Sequence, residues 1–205
     1  MSTRASAMVL GVTGGVASGK STVAGFLAER GAALISSDAI ARELLQPGSA
    51  MTRAVIARFG ASVAKAGDEI DRKALARLIF ADDDARAALG ALMHPEIRRI
   101  TRERIAASAD APLIACEIPL LYENALAGDV DRVVVAACPE AVQLSRLRAR
   151  QPWLGEDEAL RQIRAQMPLS EKARRADDVI DTDRALGDVR RDVDALYDRF
   201  RRVAP

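Results

Sequence analysis

An α/β fold with a five-stranded parallel sheet and helices on both faces is predicted by two observations. Five short apolar runs recur along the 205 residues, with helical patterns between them. The first run leads straight into Gly14-Gly15-Val16-Ala17-Ser18-Gly19-Lys20-Ser21, which matches G-x-x-x-x-G-K-[ST], a loop that cradles phosphate.

Met8–Val12 reads as the first buried strand. Val23, Phe26 and Leu27 then recur at helical spacing, and Gly31 supplies a stop. Ala33–Ser36 is the second strand. Residues 37–111 show only helical patterns: Val55, Ile56 and Phe59, then Leu75, Leu78 and Ile79 behind an N-cap at Asp71, then Leu89, Leu92 and Met93, then Ile97, Ile100 and Ile105. A stretch this long is more than a crossover helix, so it predicts a small helical subdomain. Pro112–Glu117 and Asp131–Ala137 are the third and fourth strands, with Cys116 and Cys138 placed in them. Pro139 is expected at the first position of a helix in an arginine-rich segment, 141–176, broken at Pro152 and Gly155. Asp178–Asp181 is the fifth strand. The last helix, Leu186–Val203, is predicted to turn Val189, Val193, Leu196, Tyr197 and Phe200 inward. Residues 1–7 read as a loose tail.

The bulk numbers exclude several classes. A formal net charge of +1, with both signs interleaved, argues against a nucleic-acid or membrane surface as the main partner. No apolar run approaches the ~20 residues of a membrane span. The N-terminus lacks a signal-peptide layout, which predicts a cytoplasmic location. Two dispersed cysteines and one histidine cannot build the usual zinc site and read as thiols in a reducing compartment.

The loop assigns chemistry directly. Gly14, Gly15 and Gly19 let backbone N–H groups converge on phosphate oxygens, with Ala17, Ser18 and Thr22 in the same bend. Lys20 reaches the β- and γ-phosphates, and Ser21 places a hydroxyl on Mg²⁺. A bound triphosphate needs a second reactant. Asp38, just past the second strand, is placed to orient an attacking hydroxyl, or simply to cap the helix carrying Ile40, Leu44 and Leu45. Glu117, at the tip of the third strand, is placed to hold a water on Mg²⁺ beside the acceptor, or to form a surface ion pair. Arg146 and Arg150 share a helix face and would close over the nucleotide, Arg146 acting on the transferring phosphoryl group; a solvated helix face is the alternative. His94 is either a structural histidine or an acceptor contact. Asp181–Arg184 is the position in the fold where base contacts are expected.

In order along the chain, Thr13–Thr22, Ser37-Asp-Ala-Ile-Ala-Arg42, Gln46-Pro-Gly48, Asp71-Arg-Lys-Ala-Leu75, Phe80-Ala-Asp82, Met93-His-Pro95, Ile118-Pro-Leu-Leu-Tyr-Glu123, Arg164-Ala-Gln166 and Ala176–Asp181 resemble the dephospho-coenzyme A kinase family. The resemblance runs along nearly the whole chain. It implies a three-layer P-loop kinase fold with a nucleotide-binding core (8–36, 112–140, 177–203), a helical insertion facing the acceptor (37–111) and a helical lid (141–176). It implies ATP-dependent phosphorylation of the ribose 3′-hydroxyl of 3′-dephospho-CoA, the last step of coenzyme A biosynthesis, with Mg²⁺. The substrates would be ATP and dephospho-CoA, and the chain a monomer or weak homo-oligomer. Asp38 takes the acidic position beside the hydroxyl, Arg42 and His94 face the acceptor, Arg146 and Arg150 belong to the lid, and Gln166 lies in the return segment. The rivals are another small-molecule or nucleoside kinase of this fold and a nucleotide-dependent switch, for which no Asn-Lys-x-Asp base reader is present.

Three departures stand out. Ser36-Ser37-Asp38 replaces a more acidic triplet, which concentrates the acid role on Asp38. The lid turn, Arg150-Gln-Pro-Trp-Leu-Gly155, is longer than expected. Ala17 stands where a glycine is common, which predicts a negative φ there.

Overall fold

The computed structural model describes residues 7–203. Residues 1–6 of the expected tail lie outside the described residues. The elements run in the order β1 (Val9–Gly14), α1 (Lys20–Glu29), β2 (Ala33–Ser36), α2 (Ser37–Leu44), α3 (Ala50–Phe59), β3 (Ala64–Lys65), β4 (Glu69–Ile70), α4 (Arg72–Ala81) and α5 (Asp83–Ala107). They continue with β5 (Ile114–Glu117), β6 (Arg132–Ala137), α6 (Glu140–Arg150), α7 (Glu156–Arg164), α8 (Leu169–Arg175), β7 (Asp178–Asp181) and α9 (Leu186–Val203). Two compact units result: one formed by the chain up to Ser36 and from Ile105 onward, the other by Ser37–Arg104.

The first unit holds a five-stranded parallel sheet in the order β2-β5-β1-β6-β7. β1 is central, so Leu10 and Val12 are fully buried and its sequence is apolar without alternation. α1 ends where Gly31 turns to φ 100, its N–H bonding the Ala28 carbonyl at 2.9 Å while the Ala32 N–H bonds Leu27 at 3.1 Å. Val23, Phe26 and Leu27 of α1 pack with Val189, Val193, Leu196, Tyr197 and Phe200 of α9 in one cluster. Each large side chain buried this way contributes roughly 1.5–3 kcal/mol. Several boundaries shift by one or two residues: β1 runs Val9–Gly14 where Met8–Val12 is expected, β5 begins at Ile114 and not Pro112, and β6 at Arg132 and not Asp131. Pro139 is the N-cap of α6, not its first helical residue, because its ψ of 150° is still extended. Cys138 lies just past β6, half-buried, whereas Cys116 is buried in β5, where burial pushes its thiol up to about 12. Both are free.

The second unit is not purely helical, which corrects the sequence reading. β3 and β4 form a two-stranded antiparallel hairpin, turned by Gly67 and Asp68, both at positive φ. Its role is packing: Ile70 joins Val55, Val63 and Leu75 in this unit's core. Asp71 caps α4 as expected, accepting from the Lys73 and Ala74 N–H groups at 3.0 Å each. The bond from Ala74 is the largest cause holding its carboxyl below the usual range. α5 runs through Pro95 without ending.

Candidate active site

The carboxyl end of β1 runs into the phosphate loop, where Gly14 has no room for a side chain against backbone and Gly19 needs a left-handed conformation. A Cβ on Gly14 would sit 2.4 Å from the Ser18 Oγ and 2.7 Å from the Ala136 carbonyl. On Gly15 it would sit 2.3 Å from the Gln143 Nε2. Gly19 has φ 89 and begins α1 with no side-chain cap. The Thr22 N–H donates to the Gly19 carbonyl at 3.0 Å, and the N–H groups of Lys20 and Ser21 are left for an anion, at the positive end of the helix dipole. Thr22 continues the helix from there.

Ala17 overturns its sequence expectation: its φ is +56, in the left-handed region. That conformation costs a non-glycine residue roughly 1–2 kcal/mol. Two features hold it. Its methyl is buried with Leu147, Leu154, Ala159 and Ile163 from the α6–α7 segment. The neighbouring Val16 peptide is held on both sides, its N–H donating to the Gln166 Oε1 at 3.0 Å and its carbonyl accepting from the Gln143 Nε2 at 2.7 Å. Ala17→Gly should shift unfolding free energy by less than about 1 kcal/mol, since relieved strain offsets one lost methyl burial and added chain entropy. Denaturant melts check this; a loss above about 2 kcal/mol contradicts it.

Lys20, Ser21 and Glu117 converge. The Ser21 hydroxyl donates to the Glu117 Oε1 at 2.6 Å, and the Lys20 ammonium lies 3.5 Å from the same oxygen. Glu117 pairs in register with Ser36 of β2 and with Val12 of β1. It is buried, so of its two sequence readings the surface ion pair is ruled out. Burial opposes its charge, but hydrogen bonds from Ser21 and Ser36 and the Lys20 cation outweigh burial and hold the carboxyl below its ordinary value. The unfolded chain therefore binds this proton more readily, and the contribution to stability is full above about pH 4.3. It is lost as pH falls through the lower folded value. The stability gap between wild type and Glu117→Gln should accordingly narrow on acidification below pH 4; melting curves at pH 7 and pH 3.5 check it, and a widening gap contradicts it.

Arg146 is committed to Thr182, donating to its carbonyl at 2.7 Å and its hydroxyl at 3.3 Å. The Thr182 hydroxyl in turn donates to the Ser18 carbonyl at 2.6 Å, and its side chain closes over Gly19. Arg146 thus buttresses the loop from the Asp181–Arg184 side. Arg150 is exposed at the end of α6 and makes no ion pair among the described residues.

In the second unit, Asp38 and Arg42 are both exposed and lie four residues apart on α2, so they share a face. Asp38 is inside the first turn of α2, so it is not the residue that caps it. His94 lies on α5 with its ring over Gly90, where a Cβ would come within 3.0 Å of the imidazole. Partial burial, then the Arg98 cation, lower its pKa and favour the neutral ring. Two residues went unmarked by sequence reasoning: Gln143 of α6 and Lys172 of α8. Their signal was weak, since polar residues on amphipathic helices normally face water.

A parallel sheet whose central strand feeds a glycine loop, with Lys20, Ser21 and an ionised Glu117 gathered at its mouth, defines a P-loop kinase. The family model described as dephospho-CoA kinase matches residues 8–188. The chain belongs to the dephospho-CoA kinase family. A dephospho-CoA kinase of Geobacter metallireducens is 42% identical over 192 residues, covering 93% of this chain and 95% of that one. The crystal structure of TT1252 from Thermus thermophilus superposes with a TM-score of 0.81 at 35% identity, covering 95% of this chain and 98% of that one. A dephospho-CoA kinase from Campylobacter jejuni gives 0.68 at 25% identity, covering 95% and 97%. Among the described residues, no helix is long and apolar enough to cross a membrane.

Proposed function

We propose that this chain transfers the γ-phosphoryl group of ATP to the ribose 3′-hydroxyl of 3′-dephospho-CoA, giving coenzyme A and ADP. The observation that carries the reading is the convergence of Lys20, Ser21 and Glu117 at an uncapped helix start, in a chain of this family. The loop N–H groups and Lys20 hold the β- and γ-phosphates and stabilise charge on the transferring group. The donor set suits Mg²⁺: a hydroxyl and an ionised carboxylate are hard oxygen ligands, and no cluster of three or more acidic, His or Cys residues able to hold a metal exists among the described residues. Ser21 would hold the ion directly and Glu117 through water; when bound, it neutralises phosphate charge.

Asp38 orients the acceptor hydroxyl and takes its proton. One residue separates it from Ser36, whose register partner is Glu117, so the chain keeps the Cα of Asp38 within about 7 Å of the Ser36 Cα. Arg42 shares its helix face and contacts the acceptor's phosphates, and His94 is a further acceptor contact. Residues 37–111 form the acceptor-facing insertion. The 141–176 segment acts as the lid, where Arg150, exposed and in no ion pair among the described residues, reaches the nucleotide. A cytoplasmic location and a monomer or weak homo-oligomer fit the free thiols and balanced charge. An ADP-release assay across an acceptor panel tests the reading. Stimulation by dephospho-CoA and not by nucleosides or shikimate supports it; slow hydrolysis unaffected by any acceptor contradicts it.

A further inference from the structure

One strong cation is left over by this chemistry. Lys172, in α8, is wholly buried. Its ammonium has three donors and three acceptors: the Pro119 carbonyl at 2.9 Å, the Glu123 carboxylate at 2.9 Å and the Gly14 carbonyl at 3.3 Å. Burying a lysine is costly unless its charge is paired. Burial and the Lys20 charge push it toward neutrality while Glu123 opposes them.

The place of these contacts is informative. The backbone ladder between β1 and β5 ends with the Ile118 N–H on the Val12 carbonyl, at 2.9 Å. Strand carbonyls two residues apart point the same way, so the Gly14 carbonyl faces β5 just beyond the last rung. Lys172 supplies the missing donor there. The same ammonium takes the Pro119 carbonyl on the β5 side, which also accepts from the Thr13 hydroxyl at 3.2 Å. Glu123, its counter-charge, accepts from the Met167 N–H at 3.0 Å. Gly14 has no slack against Ser18 and Ala136, so its position passes directly into the loop that carries Lys20 and Ser21.

We infer that Lys172 is a positioning residue for phosphoryl transfer: it clamps the carboxyl-terminal tips of β1 and β5 at the spacing that lets Ser21 and Glu117 serve the metal–phosphate end of the nucleotide. This rests on the proposed kinase function only for the role of Ser21 and Glu117 toward Mg²⁺–ATP, and not on the identity of the acceptor.

The test is ATP binding by calorimetry, with and without Mg²⁺, on full-length wild type, Lys172→Met and Lys172→Arg. It needs no acceptor, so a wrong acceptor assignment leaves it intact. Lys172→Met should weaken Mg²⁺–ATP by tenfold or more and shrink the Mg²⁺-dependent part of the affinity at least threefold, with Lys172→Arg restoring most of both. A merely structural lysine would lower the melting temperature yet leave the ratio of the two affinities unchanged in folded protein. That unchanged ratio overturns the inference. If Lys172→Met fails to fold, Glu123→Gln decides: it keeps the ammonium but removes its counter-charge. A ratio shifted more than threefold supports the clamp, and a smaller shift overturns it.

Discussion

Lys20→Ala lowers kcat/KM for ATP by about a thousandfold, the scale expected when one preorganised donor to a developing charge is lost, roughly 3–4 kcal/mol of transition-state stabilisation. Lys20 is the only lysine of the loop, and its ammonium lies 3.5 Å from Glu117 at the mouth of the phosphate site. Removing it deletes a γ-phosphate contact and also leaves Glu117 without its cation. Ser21 and Ser36 still hydrogen-bond that carboxylate, so the fold survives. The expected pattern is a kcat loss larger than the rise in KM, with an unchanged far-ultraviolet spectrum. Steady-state kinetics with saturating acceptor measure it. An unchanged kcat/KM contradicts the role.

Asp38→Asn lowers turnover by at least about a hundredfold while ATP affinity changes little, as removal of a general base should. The exchange is nearly isosteric. Asp38 is exposed in the first turn of α2, so the only structural cost is a favourable interaction with the helix dipole, about 0.3–1 kcal/mol. Lost function can then be separated from lost folding by a melting curve. Turnover near wild type would remove Asp38 from the chemistry.

These predictions rest on residues that the sequence exposes plainly, and the reason is physical. A phosphate loop is a local object: its glycines, lysine and serine are consecutive, so one stretch of chain carries the signal. Short apolar runs bounded by turns are likewise legible as strands; the edge strands Ala33–Ser36 and Asp178–Asp181 match to the residue. Leu186–Val203 matches because its buried positions keep helical spacing. The hairpin of β3 and β4 was missed because two-residue strands have no period, although Gly67-Asp68 marks a turn. Ala17 misled because propensity favours negative φ for alanine, whereas burial against Leu147 and Ile163 and the two glutamines on Val16 decide its conformation. Lys172 and Gln143 were invisible for a related reason. Their partners lie 158 and 127 residues away in sequence, and no local pattern encodes such a contact.

The division of labour also has a chemical logic. Gln143, Gln166, Thr182 and Lys172 all bond carbonyl or N–H groups of residues 14–18, so the loop backbone is fixed by side chains and its remaining N–H groups stay available to phosphate. Preorganisation of this kind is what lets oriented dipoles act without rearranging during the reaction.

Product identification tests the central claim most directly. The purified chain is incubated with ATP, Mg²⁺ and 3′-dephospho-CoA, and the acceptor is recovered for mass spectrometry and phosphorus NMR. The account predicts one added phosphoryl group, located on the ribose 3′ oxygen, with one ADP formed per acceptor consumed. An unmodified acceptor alongside ADP, or a phosphoryl group at any other position, would contradict it.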